Sequence, residues 1–183
     1  GEDIADDVNG VALAVVLCSR SERCTETFMA FFDALGRVIA VNESTPAPVL
    51  AVVLALITVP VVEGQCARLM EYALGLQFKF LAHTDVALRA SIVRNIGRLS
   101  FTPQAVKFVP QILQTLQLPN RQQFPELYAQ VVIALGNVIA GHPAAFTAPQ
   151  IAQWVQMLPV KAPNALDTVR ALALLYSQSA PHG

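Results

Sequence analysis

The sequence predicts an all-α fold of stacked antiparallel helix pairs, and three observations carry that expectation. Apolar residues recur at helical spacing over long windows, where strands would alternate in short runs. Leu, Ala and Val dominate, while aromatic residues make up 7% and glycines number nine, a composition poor in strand and turn formers. Third, the chain repeats itself. Gln111-Ile112-Leu113-Gln114-Thr115-Leu116-Gln117-Leu118 aligns with Gln150-Ile151-Ala152-Gln153-Trp154-Val155-Gln156-Met157 thirty-nine residues on, and Pro110 matches Pro149. Asn95-Ile96-Gly97-Arg98-Leu99 aligns likewise with Ala134-Leu135-Gly136-Asn137-Val138. Both helices of a hairpin therefore recur with one period. Helical pairs repeating at about 40 residues are of HEAT type, and they stack into an α-solenoid because no pair buries its apolar face alone.

The elements follow in order. A helix over 4–19, carrying Val11, Leu13, Val15, Val16 and Leu17, stands as an orphan second helix. About four repeats follow, pairing 23–41 with 46–63, 66–82 with 85–101, 103–118 with 124–141, and 148–158 with 164–178. Thr45-Pro46 and Thr102-Pro103 each place a capping hydroxyl before a proline at the first helical position. Ser44 to Val62 is nineteen residues without a charge. Its prolines leave an apolar core over Val49 to Val59, short of the roughly 20 apolar residues a membrane span needs. A helix buried on most sides is expected there. Leu88, Ile92, Ile96 and Leu99 form one stripe on 85–101; Val106, Val109, Leu113 and Leu116 form one on 103–118. Leu127, Val131, Leu135 and Val138 form the stripe of 124–141, which is expected to pack beside 85–101. Trp154, in register with Ile151, Val155 and Leu158, reads as a packing anchor. The last helix carries Leu166, Val169, Leu172, Leu174 and Leu175, with Asp167 and Arg170 as a local pair. The whole chain, 1–183, reads as one HEAT-repeat segment of a longer solenoid, whose terminal helices expose apolar surface meant for further repeats.

Composition excludes several classes. With 54% apolar residues and mean hydropathy +0.49 the chain must bury surface, so disorder is excluded. Twelve basic against thirteen acidic residues leave no electrostatic footprint for nucleic acid. Glu2, Asp3, Asp6 and Asp7 stand where a secretory signal needs basic residues. Three cysteines, Cys18, Cys24 and Cys66, are odd in number and too few for a disulfide framework, which fits a reducing, intracellular compartment; Cys18 and Cys24 read as buried small hydrophobes.

No phosphate-cradling glycine loop, nucleophile elbow or zinc helix occurs in the sequence. His83, His142 and His182 are dispersed and two lie at expected helix ends, where the dipole favours them. An enzyme, a cofactor and a metal site are therefore not expected. The candidate protein-contact surface comprises Arg89, Arg94 and Arg98 on one second helix, with Gln130 and Asn137 on the next. Arg94 and Arg98 are four apart on a polar face, and second helices line the concave side of such solenoids. The alternative is solvated charge or pairing within the chain. Gln111, Gln114, Gln117 and Gln150, Gln153, Gln156 are expected on solvated faces.

Three stretches carry a resemblance to a known family: Thr84-Asp85-Val86-Ala87-Leu88-Arg89 through Ile96-Gly97; Ala134-Leu135-Gly136-Asn137-Val138-Ile139 with His142-Pro143; and Gln153-Trp154-Val155-Gln156-Met157-Leu158-Pro159-Val160. From about residue 20 onward the chain resembles the C-terminal HEAT repeats of karyopherin-β (importin-β) nuclear transport receptors, of the importin beta-3 type. That resemblance implies protein partners, namely import cargo, Ran with GTP and the Phe-Gly repeats of nucleoporins, and residence in cytoplasm and nucleus. Neither nucleic acid nor membrane is expected as a partner, on the charge balance and on the length of the apolar stretch given above. The competing expectation is a HEAT scaffold of a phosphatase, microtubule or chromatin complex. A helical enzyme domain ranks below both, since no cluster of titratable residues is in view.

Overall fold

The computed structural model describes Ala30, residues 44–62 and residues 69–157. The expected helices over 4–19, 23–41 and 164–178, the three cysteines, His182 and the Asp167–Arg170 pair lie outside the described residues. The elements among the described residues are all helical, with no strand. The chain divides into two compact units, Gly1–His83 and Thr84–Gly183.

In the first unit, α1 (Ala47–Val62) packs against α2 (Met70–Phe80). The α1 helix is apolar all round and buries Leu50, Val53, Leu54, Leu56, Ile57 and Val61. Pro60 lies inside it and brings no N–H, so the Leu56 carbonyl lacks its usual donor four residues on. The strongest polar tie is one the apolar pattern conceals. Gln77 on α2 is fully buried, and its Nε2 donates to the Leu54 carbonyl at 2.9 Å and to Thr58 Oγ1 at 3.3 Å. Thr58 Oγ1 donates to the same carbonyl at 2.8 Å. A buried amide is tolerable only with its hydrogen bonds made, and this triangle makes them across two helices.

The second unit begins with α3 (Val86–Ser100), started by Asp85, whose side chain accepts from the Leu88 amide at 2.8 Å. Leu88, Ile92, Ile96 and Leu99 are all buried, as their spacing requires. The next segment departs from expectation. In place of one helix over 103–118 there is a 3-10 turn, Pro103–Phe108, and then a short helix, α4 (Val109–Thr115). Pro110 is the cause: its ring clashes with the carbonyl four residues back, so it is accommodated only in the first turn of a new helix. The changed register leaves Val106 62% exposed, while Val109 and Leu116 remain buried. Thr102 does not cap the following turn. Its Oγ1 donates back to the Leu99 carbonyl at 2.7 Å, satisfying the end of α3.

After a loop in which Asn120 Oδ1 accepts from the amides of Gln122 and Gln123, α5 (Pro125–Gly141) runs with Pro125 in its first turn. A 3-10 turn at Pro143–Ala145 leads into α6 (Ala148–Met157). The closest partnership in this unit is α3 with α5. A side chain at Gly97 would stand 3.0 Å from Cα of Ala134, and one at Gly141 would stand 2.9 Å from the Phe101 carbonyl oxygen. Contact thus advances from 97 to 101 on α3 as it advances from 134 to 141 on α5. The two helices run in parallel, about one repeat period apart in sequence, with backbones touching where glycine permits.

Trp154 holds α6 to α5. It is 2% exposed, packs with Val132 and Ile139, and its indole N–H donates to the Val132 carbonyl at 2.6 Å. Tyr128, Leu135, Phe146, Ile151 and Met157 surround this cluster as partly buried neighbours. Leu135, expected in the core stripe, is therefore half-buried at its edge. Val155 is 44% exposed and takes no part in the anchor.

Candidate protein-contact surface

The α3–α5 seam positions the candidate side chains. Helical spacing puts Arg94, Gly97 and Arg98 on one strip of α3, and both arginines are exposed. Gly97 lets α5 approach so closely that Nδ2 of Asn137 would lie 3.1 Å from a side chain placed there. Asn137 is half-buried and thus borders the arginine strip from the neighbouring helix. Three of the five candidates share one seam.

The other two are placed differently. Gln130 is 2% exposed and does not reach the surface; its Nε2 donates to Glu126 Oε1 at 3.1 Å, one turn earlier. It lies on the side of α5 that is covered, and α5 buries residues almost all round from Leu127 to Ala140. Arg89 is half-buried, its Nε out of solvent and without a hydrogen-bond partner. It sits near the start of α3, five residues before Arg94, and so off the Arg94–Arg98 strip.

Charge on this unit is uneven. Residues 84–157 hold five basic side chains (Arg89, Arg94, Arg98, Lys107, Arg121) and two acidic ones (Asp85, Glu126). Both acids stand at helix N-termini, where the dipole favours them, and both accept hydrogen bonds there. Lys107 lies over the Phe108 ring at 4.7 Å and Arg121 over the Tyr128 ring at 5.5 Å. Their charges rest on neighbouring aromatic faces. Arg94 and Arg98 are the exposed basic side chains of α3.

The glutamines of both matched segments, Gln111, Gln114, Gln117 and Gln150, Gln153, Gln156, are exposed, with Gln111 and Gln114 on α4, Gln117 just beyond it, and the other three on α6. Among the described residues no three His, Cys, Asp or Glu side chains gather at metal-binding range, and no helix is long and apolar enough to cross a membrane. His142, buried at the end of α5, makes a contact that spacing did not reveal: its Nε2 pairs with the Ser100 carbonyl at 2.9 Å, tying the ends of α3 and α5 together. The one available signal was its place just after the repeated glycine-containing segment.

Compared with known protein families, with characterised proteins and with solved structures, the chain matches none.

Proposed function

We infer that this chain is a protein-binding segment of a helical-repeat array, of the nuclear transport receptor kind that its sequence resembles. The observation that supports the reading is the α3–α5 pairing. Stacked helix pairs place successive second helices side by side and parallel, one period apart, and α3 and α5 stand in that relation with glycine at the near-contact points. Such a stack offers a continuous face of second helices to a partner, here the strip bearing Arg94, Arg98 and Asn137. A surface of arginines and amides suits binding through charge-assisted and amide hydrogen bonds.

The test is a pull-down on the chain with immobilised Phe-Gly peptides and, separately, with Ran in its GTP and GDP forms. A transport-receptor segment retains Phe-Gly peptide or GTP-bound Ran over the GDP form. Retention of neither, by this chain or by a longer one containing it, refutes the transport reading.

A further inference from the structure

We propose that α6 is a strap that opens and closes over α5 as a unit, held shut by one side chain. This goes beyond the binding reading above and does not depend on it. Of the described residues of α6, Trp154 alone is buried. Ile151 and Met157 reach the same cluster from its rim and stay half-buried, while Gln150, Ala152, Gln153, Val155 and Gln156 are exposed. The helix that α6 touches most is α5. In contrast, α3 and α5 bury residues along their whole length. Resistance to local opening follows the apolar surface a segment buries, so α6 stands at the low end of this unit and the α3–α5 pair at the high end.

Plug and socket are matched. Gly136 leaves a notch in α5, where a methyl group would overlap Cζ2 of the indole. One turn earlier the Val132 carbonyl takes the indole N–H at 2.6 Å, and the Val132 and Ile139 side chains pack against the ring. A rigid ring is either seated with that bond made or out in solvent with its N–H given to water. The strap also has its own joint and its own start. The 3-10 turn at Pro143–Ala145 is exposed at each residue. Beyond it, the amide and Oγ1 of Thr147 donate to Gln150 Oε1 at 2.8 and 2.9 Å, and the Ile151 amide donates to the Thr147 carbonyl at 3.1 Å. These bonds lie within the strap and are kept when it lifts. Opening therefore gives up the Trp154 bond and the contacts around it, and bares the Val132–Ile139 face of α5.

The experiment is native-state hydrogen exchange of the whole chain, followed segment by segment at urea concentrations below the unfolding transition. The expected result is that α6 amides exchange about tenfold or more faster than those of α3 and α5, and nearly independently of urea, because local opening exposes little surface. Trp154→Phe keeps a ring without the N–H and speeds α6 exchange a further fivefold or about that. Trp154→Ala removes the plug and takes α6 to the exchange rate of unstructured chain. In both variants α3 and α5 keep their protection, and circular dichroism verifies that each is folded. Parental α6 amides that exchange at the rate and with the urea dependence of α3 and α5 overturn the proposal, since α6 then belongs to one cooperative core. Loss of α3 and α5 protection together with that of α6 in Trp154→Phe overturns it as well, since Trp154 then supports the core and does not plug a strap.

Discussion

Replacing Gly136 by alanine tests the joint between α5 and α6. In an open helix the change is favourable, because alanine lowers the backbone entropy cost by about 1 kcal/mol. At Gly136 the new methyl would overlap Cζ2 of Trp154 and stand 3.0 Å from Cε2 and Cη2. The indole is buried and rigid, so it must move as a whole. Overpacking of this kind costs about 1–3 kcal/mol. A displaced indole also gives up its N–H bond to the Val132 carbonyl, a further ~1 kcal/mol. Set against the helix gain, the sum is a net loss of about 1–3 kcal/mol. Gly75→Ala supplies the control: it lies in α2 with no atom within 4 Å of the added methyl, and should stabilise by about 0.5–1 kcal/mol. One substitution, two signs. Trp154 is the only tryptophan in the chain, so its emission during urea unfolding reports directly on the perturbed joint, while circular dichroism follows the control. Gly136→Ala at or above parental stability, with unchanged emission, would refute the account of this packing.

Three further outcomes are expected. Gln77→Ala removes a fully buried amide and its bonds to Leu54 and Thr58, and should cost about 2–3 kcal/mol in urea unfolding; a loss under ~0.5 kcal/mol would mean water replaces the triangle. Leu135→Ala, at a half-buried site against Trp154, should cost about 1–2 kcal/mol, below the ~2–5 kcal/mol of a fully buried leucine. A larger loss would place that side chain in the core. Gly97→Ala should lower the melting temperature by several degrees, since neither Cα of Ala134 nor the α5 backbone can yield as a side chain would; an unchanged melting temperature would deny the seam its close contact.

Helix type and the partnership of α3 with α5 were legible because both rest on periodicity, which the backbone enforces everywhere. The stripe of α3 is buried at every position named from its spacing. What escaped were effects carried by single residues. Pro110 broke the expected long helix, although its position within the apolar stripe was visible; periodicity alone does not say whether a proline opens a helix or lies within it. Gly136 and Trp154 were both conspicuous in the repeat, but their meeting depends on where α6 folds back, a tertiary distance with no local signature. Of the candidate surface, Arg94, Arg98 and Asn137 come together because one period separates their helices. Gln130 shares that sequence logic and is nonetheless buried, because α5 is covered on more sides than α3. Polar identity predicts exposure poorly where the neighbouring residue one turn away can satisfy the amide.

The glycine contacts between α3 and α5 also bear on how a disturbance travels. Where helices meet through long side chains, a small displacement is absorbed by rotamer changes, and little reaches the far helix. At Gly97 and Gly141 backbone lies against its neighbour with no such cushion. A push on the arginine strip of α3 is therefore handed to α5 as rigid-body movement, and from α5 through the Trp154 indole to α6. Within residues 84–157 this coupling runs across the helices, from α3 to α5 and on to α6, while the 3-10 turns at Pro103–Phe108 and Pro143–Ala145 are the joints about which such movement can turn.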